Sequence, residues 1–141
     1  MVGFSLEMLT EEQALRAYAV MLNSLSARTL VPLLSDDFHY SSQSVLGEIE
    51  SKAAFIDYIS GKLETIRKSG TRIWAEMGTL HQDFPGACVV VAQGSQDKIA
   101  ALVLAKVHDG KLTRLDMCTV APHPSTAVRT GEYPGLNTEI Q

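Results

Sequence analysis

The feature that most constrains this chain is a change of period at Thr71. Before it, apolar residues recur every three or four positions; after it they recur in short runs separated by compact turns. The later half predicts four strands, Thr71 to His81, Ala87 to Gln93, Lys98 to Val107 and Lys111 to Val120. Phe84-Pro85-Gly86, Gly94-Ser95 and His108-Asp109-Gly110 are short enough to be hairpin turns, so these strands form an antiparallel meander.

The earlier half predicts three helices with one strand among them. Thr10-Glu11-Glu12-Gln13 is a capping box, followed by Leu15, Tyr18, Ala19, Leu22 and Leu25 at helical spacing to an end near Ser24. A second, shorter helix is expected from Ser26 to Leu34, bent or shortened by Pro32. Phe38 to Gln43 alternates aromatic and polar residues as a strand does. The third helix starts at Ser51, carries Phe55, Ile59, Leu63 and Ile66 on one stripe, and stops at Arg67-Lys68-Ser69-Gly70, where basic residues and then glycine suit a helix C-terminus. Residues 121–141 hold three of the five prolines and few apolar groups, so the domain is drawn as 1–120 with a C-terminal tail, 121–141, either loosely ordered or draped over a neighbouring surface.

With 141 residues, 45% of them apolar and 20% charged, one core is enough. A net charge of −4 with scattered Lys and Arg argues against nucleic acid or an anionic membrane as partner. No apolar run approaches the roughly 20 residues that span a bilayer, and the expectation is a cytoplasmic protein. Cys88 and Cys118 lie in strand-like runs without metal-site spacing and read as buried thiols. No metal or cofactor is expected.

The order of elements over residues 10–120 resembles the nuclear transport factor 2-like superfamily. Tyr18-Ala19-Val20-Met21-Leu22-Asn23 followed by Leu33-Leu34-Ser35-Asp36-Asp37 is similar to the opening helices of its ketosteroid isomerases. The resemblance implies an α+β, cystatin-like, cone-shaped roll, with three helices on one face of a curled antiparallel sheet. It also places Tyr18 where those isomerases keep an oxyanion-donating tyrosine. Ser42 stands where they have the general-base aspartate, and Leu102 where they have a second, protonated acid. A serine without a neighbouring base cannot move a carbon-bound proton at neutral pH, so steroid isomerisation is not expected.

Placing Ser42 and Leu102 on the inner face predicts a pocket lined by Tyr18, Tyr40, Ser42, Met77, Leu102, Met117 and Thr119, apolar and dotted with hydroxyls. Such a lining suits a small, weakly polar molecule. The candidates for acid–base chemistry are His81, at the end of a long strand, and Asp116, which Arg114 two residues away on the same face marks as half of an ion pair. The same parity turns Ile99, Ala101, Val103 and Ala105 outward beside Trp74, an apolar surface on which a homodimer is expected. Three functions follow: a ligand-binding, possible enzymatic, pocket; a non-catalytic assembly module using the sheet face or tail; and a dehydratase or cyclase.

Overall fold

The computed structural model describes residues 8–44, 47–80 and 86–136. Helix α1 spans Glu11–Ser24 and opens with the expected capping box: the Thr10 hydroxyl accepts from the Gln13 amide at 3.1 Å, and the Gln13 side chain accepts from the Thr10 amide at 2.9 Å. It buries Ala14, Leu15, Tyr18, Ala19, Met21 and Leu22, one continuous stripe. Helix α2 spans Lys52–Ser69, is capped by the Ser51 hydroxyl on the Ala54 amide, and ends at Gly70 with a φ of 73°, a left-handed value that glycine adopts without a Cβ penalty.

The structure contains two α-helices among the described residues, not three. The expected second helix is a turn and one 3-10 segment, Val31–Leu33, with Pro32 at its start. Pro32 supplies no amide donor there, and β1 begins directly afterwards at Leu34.

The strands are β1 (Leu34–Ser42), β2 (Glu48–Ile49), β3 (Ile73–Thr79), β4 (Ala87–Gln93), β5 (Ile99–His108), β6 (Lys111–Cys118) and β7 (Val128–Arg129), in the spatial order β2-β1-β6-β5-β4-β3-β7. The meander β3 to β6 is antiparallel, and β1 joins it parallel to β6, with Tyr40 opposite Leu115 and Ser42 opposite Met117. Asp109 and Gly110, both with positive φ, make the two-residue turn between β5 and β6.

Helix α1 covers β3, β4 and β5, while α2 covers β1. The core between helices and sheet contains Phe38, Tyr40, Phe55, Ile59, Ala75, Met77, Val89, Val91, Leu112 and Leu115. Ala101, Val103 and Ala105 belong to this core, which reverses the expected parity of β5. Leu102 points the other way, into a second buried cluster with Cys88, Val90 and Cys118. The register slips between Val91 and Ala92 where β4 pairs with β5, so Ile99 also joins the outer cluster. The expected outer apolar row thus loses Ala101, Val103 and Ala105, keeping Ile99 and Trp74.

What covers the outer cluster is the tail. Pro124 is buried in a 3-10 turn against β5, and Ala127 packs on the Cys88–Leu102 cluster. Val128 and Arg129 then pair with Thr79 and Gly78 at the edge of β3. A Cβ on Gly78 would lie 3.0 Å from Val90 Cγ2 and 3.1 Å from the Val128 carbonyl oxygen, so the bare glycine admits this close crossing. From there the chain passes to the helix side, where the Arg16 guanidinium donates to Glu132 at 3.0 Å and the Asn23 amide donates to the Pro134 carbonyl at 2.7 Å. Residues 124–136 are a strap running from the outer face, around the β3 edge, to α1.

Candidate functional site

A cavity of about 230 Å³ lies between the two helices and the inner face of the sheet. Tyr18 and Leu22 reach it from α1, Lys62 and Ile66 from α2, and Ile73, Val91, Gln93, Ala100, Ala101 and Met117 from β3 to β6; Ser44 and Thr119 complete it from the loops. Two turns of helix present each pair because residues four apart share one face.

Tyr18 is the innermost polar group, with 1% of its surface exposed. Burial pushes its phenol well above the usual range, with a smaller contribution from nearby Tyr58, so it stays a neutral donor. Among the described residues its hydroxyl has no hydrogen-bond partner, and the cavity is the space it faces. Ser35 Oγ is the one sealed and unpaired side-chain oxygen among the described residues, so the Tyr18 oxygen keeps access to water or to a ligand oxygen.

Tyr40 and Ser42 do not share that cavity. They line a separate cleft of about 20 Å³ with Gly47, Ile49 and Tyr58, too small for more than water. Met117 stands between the two spaces: it lines the larger one, and its sulfur accepts from the Tyr40 hydroxyl at 3.8 Å. The Ser42 and Ser44 hydroxyls are 2.9 Å apart. Burial raises the Tyr40 phenol far above its ordinary range, and the nearby Tyr18 and Tyr58 raise it further. Tyr40 also stacks on Phe55 and Tyr58, with centroids 5.3 and 5.5 Å away.

The rim is held by Gln43. Its side-chain oxygen accepts from the amides of Thr119 and Val120 at 2.7 and 2.6 Å, its nitrogen donates to the Ala121 carbonyl at 2.6 Å, and its own amide donates to the Met117 carbonyl at 3.0 Å. One side chain therefore ties the loop after β1 to the loop after β6 and places Ser44 and Thr119 at the opening.

Of the expected pocket residues, the structure brings Tyr18, Met117 and Thr119 together. Met77 faces inward but is packed in the core, and Leu102 lies on the opposite side of the sheet. Asp116 sits on the outer face, where Arg114 donates to it at 3.0 and 3.1 Å and also pairs with Glu48. It is a surface ion pair with no access to the cavity. His81 lies outside the described residues. Tyr58, Lys62 and Ser44 were not anticipated; the signal for Tyr58 and Lys62 was their spacing of three and seven residues from Phe55, which puts them on the flank of α2's apolar stripe.

The lining carries hydroxyls, an amide and one ammonium, and among its residues there is no carboxylate, histidine or thiol. Among the described residues no group of three His, Cys, Asp or Glu could hold a metal ion. No described helix is long and apolar enough to cross a membrane.

Folds of this kind are found in many solved structures. A protein of this kind from Cytophaga hutchinsonii, called NTF2-like and of unknown function, superposes with a TM-score of 0.56 over 83% of this chain and 96% of its own, at 13% identity. The fold is that of the nuclear transport factor 2-like superfamily. A SnoaL-like protein of unknown function from Burkholderia thailandensis matches this nuclear transport factor 2-like roll over 89% of the chain and all of its own, with a TM-score of 0.57 and 14% identity. A polyketide cyclase candidate from Pseudomonas putida covers 77% of the chain and 90% of its own, at 0.52 and 17%. Neither a protein-family model nor a curated protein matches the sequence. Identities this low establish the roll and leave its chemistry to be argued from the cavity.

Proposed function

We propose that the protein is a small-molecule-binding domain whose ligand occupies the cavity between α1, α2 and the sheet. The observation that carries this reading is Tyr18: a side chain 1% exposed that lines a mostly apolar cavity, with a hydroxyl that has no partner among the described residues and is yet not sealed off. A packed core would pair or exclude such a group. The enzymatic alternative has less behind it, because the lining holds no carboxylate, histidine or thiol, and Asp116 is committed to Arg114 across the sheet. Binding without turnover is the function these residues support best.

The assembly reading keeps one support. On the outer face Trp74 and Leu104 remain half-buried beside Ile99, and Val120 is 69% exposed. We propose a homodimer through this remaining surface, smaller than the sequence suggested because Ala101, Val103 and Ala105 face the core and the strap covers part of what is left.

The test of the binding reading is a fragment screen by protein-observed NMR with methyl-labelled Met, Ile, Leu and Val. Binders should shift Met117, Ile73, Val91 and Leu22 together. Hits that shift only outer-face methyls such as Leu104 would reject the cavity as the site.

A further inference from the structure

We propose that the cavity's ligand is a small monocarboxylate built on one ring, with the ring against Leu22, Ile73 and Val91 and the carboxylate at Lys62. This deepens the binding reading above and rests on it.

Size comes first. A cavity of about 150 Å³ lined by apolar side chains takes one benzene. At about 230 Å³ this one has room for a single ring and a short polar arm.

Charge comes second. Lys62 is the one ionised group in a lining that otherwise carries no charge. Its ammonium lies 5.9 Å from the Tyr58 ring centroid, over an aromatic face. Among the described residues it forms no salt bridge, as is also true of Arg28, Lys52 and Lys111, but Lys62 alone of these lines the cavity. Its helical neighbours at three and four positions on either side are Ile59, Tyr58, Thr65 and Ile66, none of them acidic. A half-buried cation without a counter-ion in the lining of a mostly apolar cavity favours a ligand that brings the anion with it.

Donors come third. Ser44 and Thr119 line the same cavity from the loops that Gln43 clamps, and the Thr119 hydroxyl is free to meet a ligand oxygen while that of Ser44 is shared with Ser42 at 2.9 Å. Tyr18, held neutral by burial, offers a further donor at the inner end. The lining is rich in donors and holds no anion, which suits an oxygen-bearing acid and disfavours an amine.

The experiment compares three molecules of one shape: phenylacetate, phenylacetamide and phenethylammonium, titrated by calorimetry and by NMR shifts of Met117 and Ile73. Phenylacetate should bind on the order of tenfold tighter than the amide, the difference between a charged and a neutral hydrogen bond, and the ammonium should bind weakest. Lys62→Gln should abolish the preference, with phenylacetate losing more affinity than phenylacetamide, and Lys62→Arg should retain it. Amide binding as tight as acid binding, or a preference that survives Lys62→Gln, overturns the carboxylate assignment while leaving the cavity reading intact. If none of the three molecules shifts Met117 or Ile73, and the fragment screen also leaves those methyls unmoved, both readings fall. The wild-type comparison alone is decisive should either variant fold poorly.

Discussion

Arg129 donates to Glu76 at 2.7 Å across 53 residues of sequence, joining the strap to the outer face of β3. Glu76 also accepts from the Gly131 amide at 2.7 Å and from the Tyr133 hydroxyl at 3.2 Å, so a carboxylate only 3% exposed is satisfied wholly by the tail. Removing the guanidinium should leave a buried anion short of its main partner. Arg129→Ala is expected to cost about 2–4 kcal/mol, at or below the range for breaking a buried pair because Arg129 itself is partly solvated. Glu76→Gln, which keeps an acceptor, should cost about 1–2 kcal/mol. Urea unfolding of the two variants measures both, and equal losses would count against the pair as the strap's principal anchor.

Stability should fall on the alkaline side. Burial pushes the Cys88 thiol up to about 11 and raises Cys118, Tyr18 and Tyr40. An unfolded thiol titrates near 8.5 and an unfolded phenol near 10, so above about pH 8.5 the unfolded chain gives up protons that the folded chain retains. The stabilisation is complete below that pH and is lost as pH rises through the folded values. Unfolding midpoints should be flat to about pH 8 and then decline. In a Cys88→Ala, Cys118→Ala double variant the decline should begin nearer 10; an unchanged onset would refute the assignment to the thiols.

Tyr18→Phe keeps the ring and deletes the unpaired hydroxyl. Ligand affinity should drop by about 0.5–1.5 kcal/mol, the worth of a neutral hydrogen bond. The unfolding free energy should stay close to level, because the hydroxyl bonds to no described residue and keeps access to water in the cavity. Calorimetry on a bound fragment, paired with chemical denaturation, reads the two quantities separately. A clear loss of stability with unchanged affinity would make Tyr18 a core residue.

For the proposed dimer, light scattering at micromolar concentration should give twice the chain mass, and Trp74→Arg should return it to the monomer. Trp74 is the largest side chain on the outer surface and lies 5.1 Å from the Arg72 guanidinium. A wild-type monomer ends that proposal.

Much of the roll is written in local signals. The Thr10 and Ser51 caps, the Gly70 stop and the Asp109-Gly110 turn each determine a boundary through contacts within a few residues, and β4 starts and ends where alternation and turns place it. Parity on β5 was not legible because both faces of that strand are covered, one by α1 and the other by the strap. Ile99-Ala100-Ala101-Leu102-Val103-Leu104-Ala105 therefore has no polar residue to mark an outside. The strap itself was hidden for the opposite reason: it docks through backbone groups, Glu76 and Asn23, with little apolar periodicity of its own. In the site, Tyr18 was legible from the α1 stripe, whereas Lys62 belongs to a residue type whose usual place is solvent. Its role as the lone ammonium of the lining emerges only when α2 is laid against the sheet.

Gly78 has a consequence for how copies of this chain meet one another. The strand that carries it stands at the end of the meander, where its free amides and carbonyls would template a strand from another molecule. By admitting Val128 so closely, Gly78 lets the tail take up those groups, with Met77 donating to the Glu132 carbonyl at 2.8 Å and accepting from the Thr130 amide at 3.2 Å. At the other end the sheet finishes on β2, two residues long. Neither margin offers a long, unpaired edge, and a side chain at position 78 that lifted the strap away would create one, turning a local packing fault into a route to fibrillar aggregation.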